Sequence, residues 1–246
     1  MFIYRLLQPP IGLLVRIVWR ARLVDVHRVP TTGPGILACS HVSTAETWML
    51  PALLNRPLFN MAKHTLFTKP GTAGRLLAWF LRSGCVIPVN RDGGAASAGG
   101  LAEAEQVLKD GHLIGVYPEG TRSPDGRLFK GKTGAVRLAL ATGAPVIPVA
   151  AHGAFAARRG SSVIPRLSPR MRIQFGQPLD MAEELRALRA QRSMALTEAP
   201  ASVEELRALT DTMMRAIAAL SGQEMVDEYA ADYRRRLAAA AESDPE

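Results

Sequence analysis

The chain has 246 residues, enough for one full domain with its own hydrophobic core or for two small ones. Hydrophobic residues make up 48% of it, which excludes a disordered or strongly biased chain. Its formal net charge of +8 indicates an anionic partner: nucleic acid, a phospholipid surface or a phosphorylated substrate.

Residues 1–30 form a basic and apolar segment that has no convincing signal peptide. Charged residues and prolines interrupt it, so no uncharged stretch reaches the roughly 18–20 residues that a spanning helix needs. Four apolar side chains near several arginines can share one helical face: Leu13, Leu14, Ile17 and Val18. This pattern leaves open a segment that lies in a membrane interface or a helix that packs on the domain. We assign residues 1–30 to an N-terminal amphipathic membrane-interface segment.

From residue 31 onward, short apolar runs alternate with helical patterns. The runs predict strands at 35–39, 58–62, 85–89, 113–117, 145–150 and 171–175. The patterns predict helices at 44–54, 72–82, 97–109, 133–142 and 203–220, the last with a capping box from Ser202 and Glu205. This alternation favours an α/β fold with a largely parallel sheet flanked by helices. We assign residues 31–222 to one domain and residues 223–246 to a C-terminal helical tail.

Three polar clusters follow predicted strands directly. They are His41 to Glu46 after 35–39, Asn90-Arg91-Asp92 after 85–89, and Pro118 to Ser123 after 113–117. In an open parallel sheet, the loops beyond the carboxyl ends of the strands converge on one crevice. The three clusters can therefore share one site although they lie tens of residues apart.

The first cluster pairs a histidine with a carboxylate five residues later. His41 can act as a general base, with Glu46 as the group that orients it. The same residues also have a purely structural interpretation, because Ser43-x-x-Glu46 is a capping box in which Glu46 accepts the Ser43 N–H. The two interpretations are compatible, since a carboxylate in the first turn lies close to the residues before the cap.

The other two clusters offer groups for an anionic ligand. The Arg91 guanidinium suits a phosphate monoester, although a solvated pair with Asp92 is the commoner outcome for a lone arginine. In the third cluster, Glu119 and Arg122 flank Gly120, which lets backbone approach a ligand. The structural alternative for this cluster is an ordinary turn.

Residues 126–133 fit the phosphate-binding loop pattern G-x-x-x-x-G-K-[ST]. Eight residues separate its first glycine from the preceding predicted strand, and the next strand ends without the acidic residue that a magnesium site needs. We therefore regard this match as a coincidence and expect Lys130 and Lys132 to belong to a basic rim or to the ordinary surface. No group of histidine, cysteine and acidic residues has metal-ligand spacing.

Together, these residues resemble the glycerolipid acyltransferases, specifically the 1-acylglycerol-3-phosphate O-acyltransferases of bacteria, actinobacteria among them. That family carries a His-x4-Asp block, a Gly-plus-Arg block, a Pro-Glu-Gly-Thr-Arg block and a late apolar block with proline. In this sequence they look like His41 to Glu46, Gly84 to Arg91, Pro118 to Ser123 and Val146 to Val149, in the same order. The chain departs from the family pattern in having Ser40 for asparagine and Glu46 for aspartate.

The resemblance implies transfer of an acyl group from acyl-CoA or acyl-carrier protein to the sn-2 hydroxyl of 1-acylglycerol 3-phosphate, which gives phosphatidic acid. It implies that His41 and Glu46 are catalytic. It implies further that the glycerol phosphate is held by a set of five residues: Arg91, Glu119, Gly120, Thr121 and Arg122. Neither a cofactor nor a metal is implied, since the acyl thioester is a co-substrate.

The substrates place the protein at a membrane. We expect a peripheral or monotopic protein at the cytoplasmic face of the cell membrane, with an anionic lipid surface as partner and no nucleic acid. Residues 69–82, apolar with basic flanks, are either a second interfacial segment or a core helix. Another lysophospholipid or a lyso-aminolipid remains an alternative acceptor. A lipid-binding relative, in which Glu46 marks weakened catalysis, is a further alternative, and the oligomeric state stays open.

Overall fold

Helices and strands alternate along most of the chain in the computed structural model, which describes residues 2–89, 94–158, 166–167, 170–192 and 199–243. The helices are α1 (Phe2–Val18), α2 (Ala45–Leu53), α3 (Gly71–Ser83), α4 (Gly94–Lys109), α5 (Gly134–Thr142), α6 (Ala154–Ala157), α7 (Met181–Gln191), α8 (Val203–Ser221) and α9 (Ala230–Ser243). The strands are β1 (Arg22–Val24), β2 (Gly35–Cys39), β3 (Leu58–Lys63), β4 (Val86–Val89), β5 (Leu113–Val116), β6 (Leu128–Phe129), β7 (Val146–His152), β8 (Arg172–Phe175) and β9 (Met225–Val226). Short 3-10 helices span Val26–Arg28 and His64–Leu66.

Seven strands form one sheet in the order β1-β8-β7-β2-β5-β3-β4. Neighbouring strands run parallel except β7 and β8, which are antiparallel. The six predicted strands all lie in this sheet, so the prediction of a largely parallel α/β fold is confirmed. β4 lies at the edge, where Pro88, which has no N–H to donate, leaves no ladder bond missing.

Each face of the sheet carries its own hydrophobic core, and β2 contributes to both. Leu37 and Cys39 pack into the core that contains side chains of α1 and α2. Ile36 and Ala38 point to the opposite face and pack with side chains of α4, α5 and α8. β2 is buried at all five positions, as expected for a central parallel strand covered on both sides. The loop after β2 is therefore anchored on a rigid element.

Helix α1 packs against α2 with one side only. Val15 is fully buried, and the Gln8 side-chain amide donates to the Leu54 carbonyl at 2.7 Å. On the other side Leu13, Leu14 and Ile17 remain 60%, 52% and 67% exposed. Among the described residues, no helix has the length and apolar composition to cross a membrane.

The C-terminal segment closes over the loops that follow β5. β9 pairs with β6, and the Gln223 side chain donates to the Gly126 carbonyl at 2.6 Å. The Lys130 ammonium group binds Asp227 at 2.6 Å. Since β6 lies inside residues 126–133, this stretch does not run as a loop that wraps a nucleotide phosphate. The second lysine of that motif, Lys132, lies elsewhere and belongs to the site described next.

Candidate active site

Two neighbouring strands deliver the principal groups of the site. β2 and β5 are paired in parallel, with Ala38 opposite Val116. Three residues further along each strand come His41 and Glu119, and the His41 backbone N–H donates to Glu119 Oε1 at 2.8 Å. The pairing of the two strands thus brings together loops that are 78 residues apart in the chain.

Glu46 organises the loop that carries His41. Its Oε1 atom lies 3.0 Å from His41 Nδ1 and also accepts the backbone N–H groups of Val42 and Ser43, both at 2.8 Å. The contact from Ser43 is the one that the capping-box interpretation predicts, and the contact to His41 is the one that the catalytic interpretation predicts. Both occur in the same side chain.

Glu46 is fully buried, and its surroundings are rich in N–H donors. Three N–H donors converge on one oxygen, and Glu46 lies in the first turn of α2, where the helix dipole stabilises an anion. Its second oxygen, Oε2, is buried and has no hydrogen-bond partner among the described residues. The carboxylate is therefore held by one of its oxygens alone.

This contact fixes the proton of the His41 ring. A carboxylate can only accept, so a hydrogen bond to Glu46 in that form selects the tautomer with the hydrogen on Nδ1 and leaves the lone pair on Nε2. The imidazole side chain is 11% exposed, and its ring lines a cavity. His41 consequently has the protonation pattern of a general base with a carboxylate partner.

Glu119 ties three pieces of backbone together. Its Oε1 accepts the His41 N–H, and its Oε2 accepts the Phe129 N–H at 3.0 Å. The residue is only 2% exposed. Burial raises the pKa of the Glu119 carboxyl group to about 7, against the lowering effect of the two backbone N–H groups. The site thus contains a buried acid that titrates near neutral pH.

Further contacts fix His41 from the same side. The Ser123 N–H donates to the His41 carbonyl at 2.6 Å, and Ser123 is fully buried. The Tyr117 ring lies 4.4 Å from the His41 ring, centroid to centroid, at an interplanar angle of 33°. Burial raises the pKa of the Tyr117 hydroxyl well above its usual value, so the phenol stays neutral. Together with Glu46 and Glu119, these groups leave the imidazole little freedom.

A cavity of about 270 Å³ opens in front of His41. Apolar side chains form one part of its wall: Met61, Val89 and Leu101. Lys132 and Arg137 add two cationic side chains, and Gly120, Thr133 and Gly134 complete the wall beside them. No carboxylate group of the described residues lines it. The lining of the cavity therefore combines apolar side chains with two cations and contains no acidic residue among those described.

The residues predicted from sequence occupy different places relative to this cavity. His41 and Gly120 line it, whereas Glu46 and Glu119 are buried behind it. Thr121 and Arg122 do not line it. The Arg122 carbonyl accepts a hydrogen bond from Arg234, and Arg122 Nη1 is buried with no partner among the described residues.

Arg91, the remaining predicted ligand of the phosphate, lies outside the described residues, as do its neighbours Asn90 and Asp92.

Sequence reasoning did not identify Tyr117 and Arg137 as residues of the cavity, and it placed Lys132 only on a basic rim or on the ordinary surface. Tyr117 directly precedes Pro118 at the end of a predicted strand, and Lys132 belongs to residues 126–133, whose match to the phosphate-binding loop pattern we regarded as a coincidence. Arg137 follows Lys132 by five positions on α5. The available signal was a lysine two residues before Gly134, the glycine at which α5 begins. The described part of the chain holds no cluster of three metal-binding side chains.

The sequence has named relatives. A Bacillus subtilis 1-acyl-sn-glycerol-3-phosphate acyltransferase is 26% identical over 179 residues, which cover 72% of this chain and 83% of that protein. A Pseudomonas aeruginosa protein of the same name is 30% identical over 141 residues, 54% of this chain and 52% of that one. A Borreliella burgdorferi protein, also of that name, is 28% identical over 123 residues, which cover 50% of this chain and 47% of that protein. The chain thus spans about half the length of the last two relatives.

A solved structure shares the fold. The 1-acyl-sn-glycerophosphate (LPA) acyltransferase PlsC from Thermotoga maritima matches with a TM-score of 0.60 and 22% identity, over 89% of this chain and 80% of that one. Residues 20–152 match the model of the family described as Acyltransferase. This match covers more than half of the chain and includes His41, Glu46 and Glu119. The chain therefore belongs to the Acyltransferase family.

Proposed function

We propose that this protein transfers a fatty acyl group from an acyl thioester to the sn-2 hydroxyl of 1-acylglycerol 3-phosphate and so forms phosphatidic acid. The observation that carries the proposal is the His41–Glu46 pair, joined at 3.0 Å, whose imidazole faces a cavity with an apolar and a cationic wall. The relatives named 1-acyl-sn-glycerol-3-phosphate acyltransferase support the same reaction. Acyl-CoA or acyl-carrier protein supplies the thioester, and the reaction uses no cofactor or metal.

In the proposed mechanism, His41 Nε2 accepts the proton of the acceptor hydroxyl while its oxygen attacks the thioester carbonyl carbon. Glu46 stabilises the imidazolium that forms. The tetrahedral intermediate collapses as the C–S bond breaks, and the imidazolium returns the proton to the leaving thiolate. One C–O bond replaces one C–S bond, and the free thiol leaves. The apolar wall of Met61, Val89 and Leu101 suits an acyl chain.

We further propose that Glu119 positions His41 instead of meeting the glycerol phosphate, the role that the family resemblance implies for it. Both of its oxygens already accept backbone N–H groups, and one of these belongs to His41 itself. Gly120, Thr121 and Arg122 remain proposed contacts of the acceptor, and Arg91 a proposed phosphate ligand.

We propose a membrane-facing surface, the α1/α3 face, on a peripheral or monotopic protein at the cytoplasmic side of the cell membrane. It comprises exposed apolar side chains of two helices that contact each other: Leu6, Leu13, Leu14, Ile17, Leu76, Trp79 and Phe80. Side chains of α1 and α3 also line a shared apolar groove of about 250 Å³. Exposed cations beside it include Arg16, Arg75 and Arg82, which suit anionic lipid.

The reaction can be tested with labelled oleoyl-CoA and 1-oleoylglycerol 3-phosphate, with separation of the lipid products. We expect the wild-type protein to form phosphatidic acid and His41→Ala to lose about 100-fold or more in turnover, because a positioned general base contributes roughly 10²- to 10⁴-fold. His27→Ala, a change at an exposed histidine, is the matched control and should keep wild-type turnover.

Equal product from wild type and His41→Ala would remove His41 as the base. No phosphatidic acid from wild type with either acyl-CoA or acyl-carrier protein would contradict the proposed reaction. Product formed only from another lysolipid in a parallel assay would reassign the acceptor.

Glu119 should leave a signature in the pH dependence of stability. Its folded pKa of about 7 exceeds the ordinary value of 4.5, so the folded protein holds more protons than the unfolded chain between these values. Stability therefore decreases as the pH rises through this window, by on the order of 3 kcal/mol. In urea unfolding from pH 5 to pH 8, we expect Glu119→Gln to flatten this dependence and, in the assay, to lower kcat more than it changes KM.

Glu183→Gln, at an exposed carboxylate, is the control and should keep the wild-type slope. An unchanged slope in Glu119→Gln would show that this carboxyl group does not titrate in the window. Unchanged kcat would show that it does not position His41.

Membrane binding can be measured by co-sedimentation with vesicles that contain phosphatidylglycerol. We expect Ile17→Glu and Trp79→Glu each to weaken binding by about tenfold or more, because burial of such a side chain is worth roughly 1.5–3 kcal/mol. Val203→Glu changes another exposed apolar residue, 72% exposed, and should bind as wild type does. Wild-type binding by both α1/α3 variants would contradict the proposed surface.

A further inference from the structure

The cationic wall of the catalytic cavity has no role in the mechanism so far. Lys132 and Arg137 both line it together with His41. Neither forms an ion pair with a carboxylate in the part of the chain that the structure describes. By contrast, Lys130, two positions before Lys132, is neutralised by Asp227 at 2.6 Å. Among the described residues, the two cavity cations are therefore not neutralised by a carboxylate, so they can pair with an anionic ligand.

The backbone holds Lys132 at this place. Its N–H donates to the Pro118 carbonyl at 2.7 Å. The same two segments are tied a second time where Phe129 N–H meets Glu119, which in turn holds His41. The position of the Lys132 backbone is therefore coupled to that of the base through short, buried contacts.

Gly120 leaves the space that the Lys132 side chain occupies. A Cβ atom at Gly120 would lie 3.0 Å from Lys132 Cε and 3.3 Å from its Nζ. Gly120 also has a φ of +74°, which favours glycine. The sequence pattern suggests that this glycine allows a ligand to approach, and the structure adds that the lysine stem passes over it. Lys132, Gly120 and His41 all line the same cavity.

Arg137 lies on the first turns of α5 beside Lys132. Its Nε donates to Thr133 Oγ1 at 3.2 Å, which leaves both Nη groups for other partners. α5 begins at Gly134, a residue of the cavity wall, so the positive end of this nine-residue helix lies there as well. Two side-chain cations and a helix dipole of the same sign therefore act on one region of the cavity.

We propose that Lys132 and Arg137 bind the phosphate group of the acyl acceptor, an inference that rests on the proposed function. In a 1-acylglycerol 3-phosphate the phosphate is carried by the carbon next to the reacting one. It must therefore lie within the same cavity as the hydroxyl that His41 deprotonates. The phosphates of coenzyme A are separated from its thioester by a long pantetheine arm, so they do not meet this requirement. An arginine and a lysine are the side chains that bind a phosphate dianion best.

The test compares two acceptors in the acyltransferase assay, 1-oleoylglycerol 3-phosphate and 1-oleoylglycerol, which lacks the phosphate. We expect Lys132→Gln and Arg137→Gln each to lower kcat/KM for the phosphorylated acceptor by about 10- to 100-fold, the usual effect of losing a charged hydrogen bond. The kcat/KM for 1-oleoylglycerol and the KM for oleoyl-CoA should change little in both variants. Lys132→Arg should retain most of the activity, because it keeps the charge.

Lys130→Gln is the matched control, a lysine of the same segment that is already paired with Asp227. It should behave as wild type does. Circular dichroism melting of each variant verifies that the fold is intact, and glutamine at 132 keeps the backbone hydrogen bond to Pro118.

Two results would overturn the inference while leaving the proposed function in place. One is unchanged kcat/KM for the phosphorylated acceptor in both variants. The other is a rise in the KM for oleoyl-CoA with an unchanged KM for the phosphorylated acceptor, which would assign the two cations to binding of the acyl donor. Equilibrium binding of sn-glycerol 3-phosphate provides a measurement that is independent of turnover. We expect the wild type to bind this compound, and we expect the Kd of Lys132→Gln to be higher by about tenfold or more. Absence of binding by the wild type would also contradict the inference.

Discussion

The site depends on one buried oxygen atom. Glu46 Oε1 receives the imidazole N–H of His41 and two successive backbone N–H groups, all within 3.0 Å. Burying a carboxylate without such donors costs several kcal/mol, so the loop and the charge stabilise each other. If this oxygen moves, the orientation of the His41 ring and the start of α2 change together. The glutamate that departs from the family's aspartate is thus integrated into the loop, which argues against the view that it marks lost function.

The sheet supplies the second constraint. Parallel pairing of β2 and β5 brings the His41 loop beside the Glu119 loop, and Glu119 then joins His41 to Phe129. The C-terminal segment adds a contact of its own, because β9 pairs with β6, the strand that contains Phe129. His41 is therefore held by contacts from segments that are distant in sequence. Supporting contacts of this kind can hold a functional side chain to within about 0.5 Å even when it lies on a loop.

Sequence patterns were sufficient for the fold because its strands are short, apolar and regularly separated by helices. They failed for β1, β6 and β9, which have only two or three residues each, too few to show a period. In the site, the spacing of His41 and Glu46 predicted their contact, because the two residues flank one helix start. The contacts of Glu119 could not be predicted, since its partners lie 78 and 10 residues away. The sequence assigned Lys130 and Lys132 alike to a basic rim or to the ordinary surface, and only the fold distinguishes them: Lys130 pairs with Asp227, whereas Lys132 lines the cavity.

The central claim is that Glu46 fixes the geometry of His41, and the most direct measurement is the turnover of Glu46→Asp with oleoyl-CoA and 1-oleoylglycerol 3-phosphate. The change keeps the charge and removes one methylene group, so it withdraws the oxygen from its three donors. A displacement of about 1 Å at a catalytic group can cost roughly 100-fold in rate. We expect kcat to fall by about that factor in a variant that still unfolds cooperatively. Turnover equal to or above that of the wild type would contradict the claim and would show that the loop is not built around glutamate.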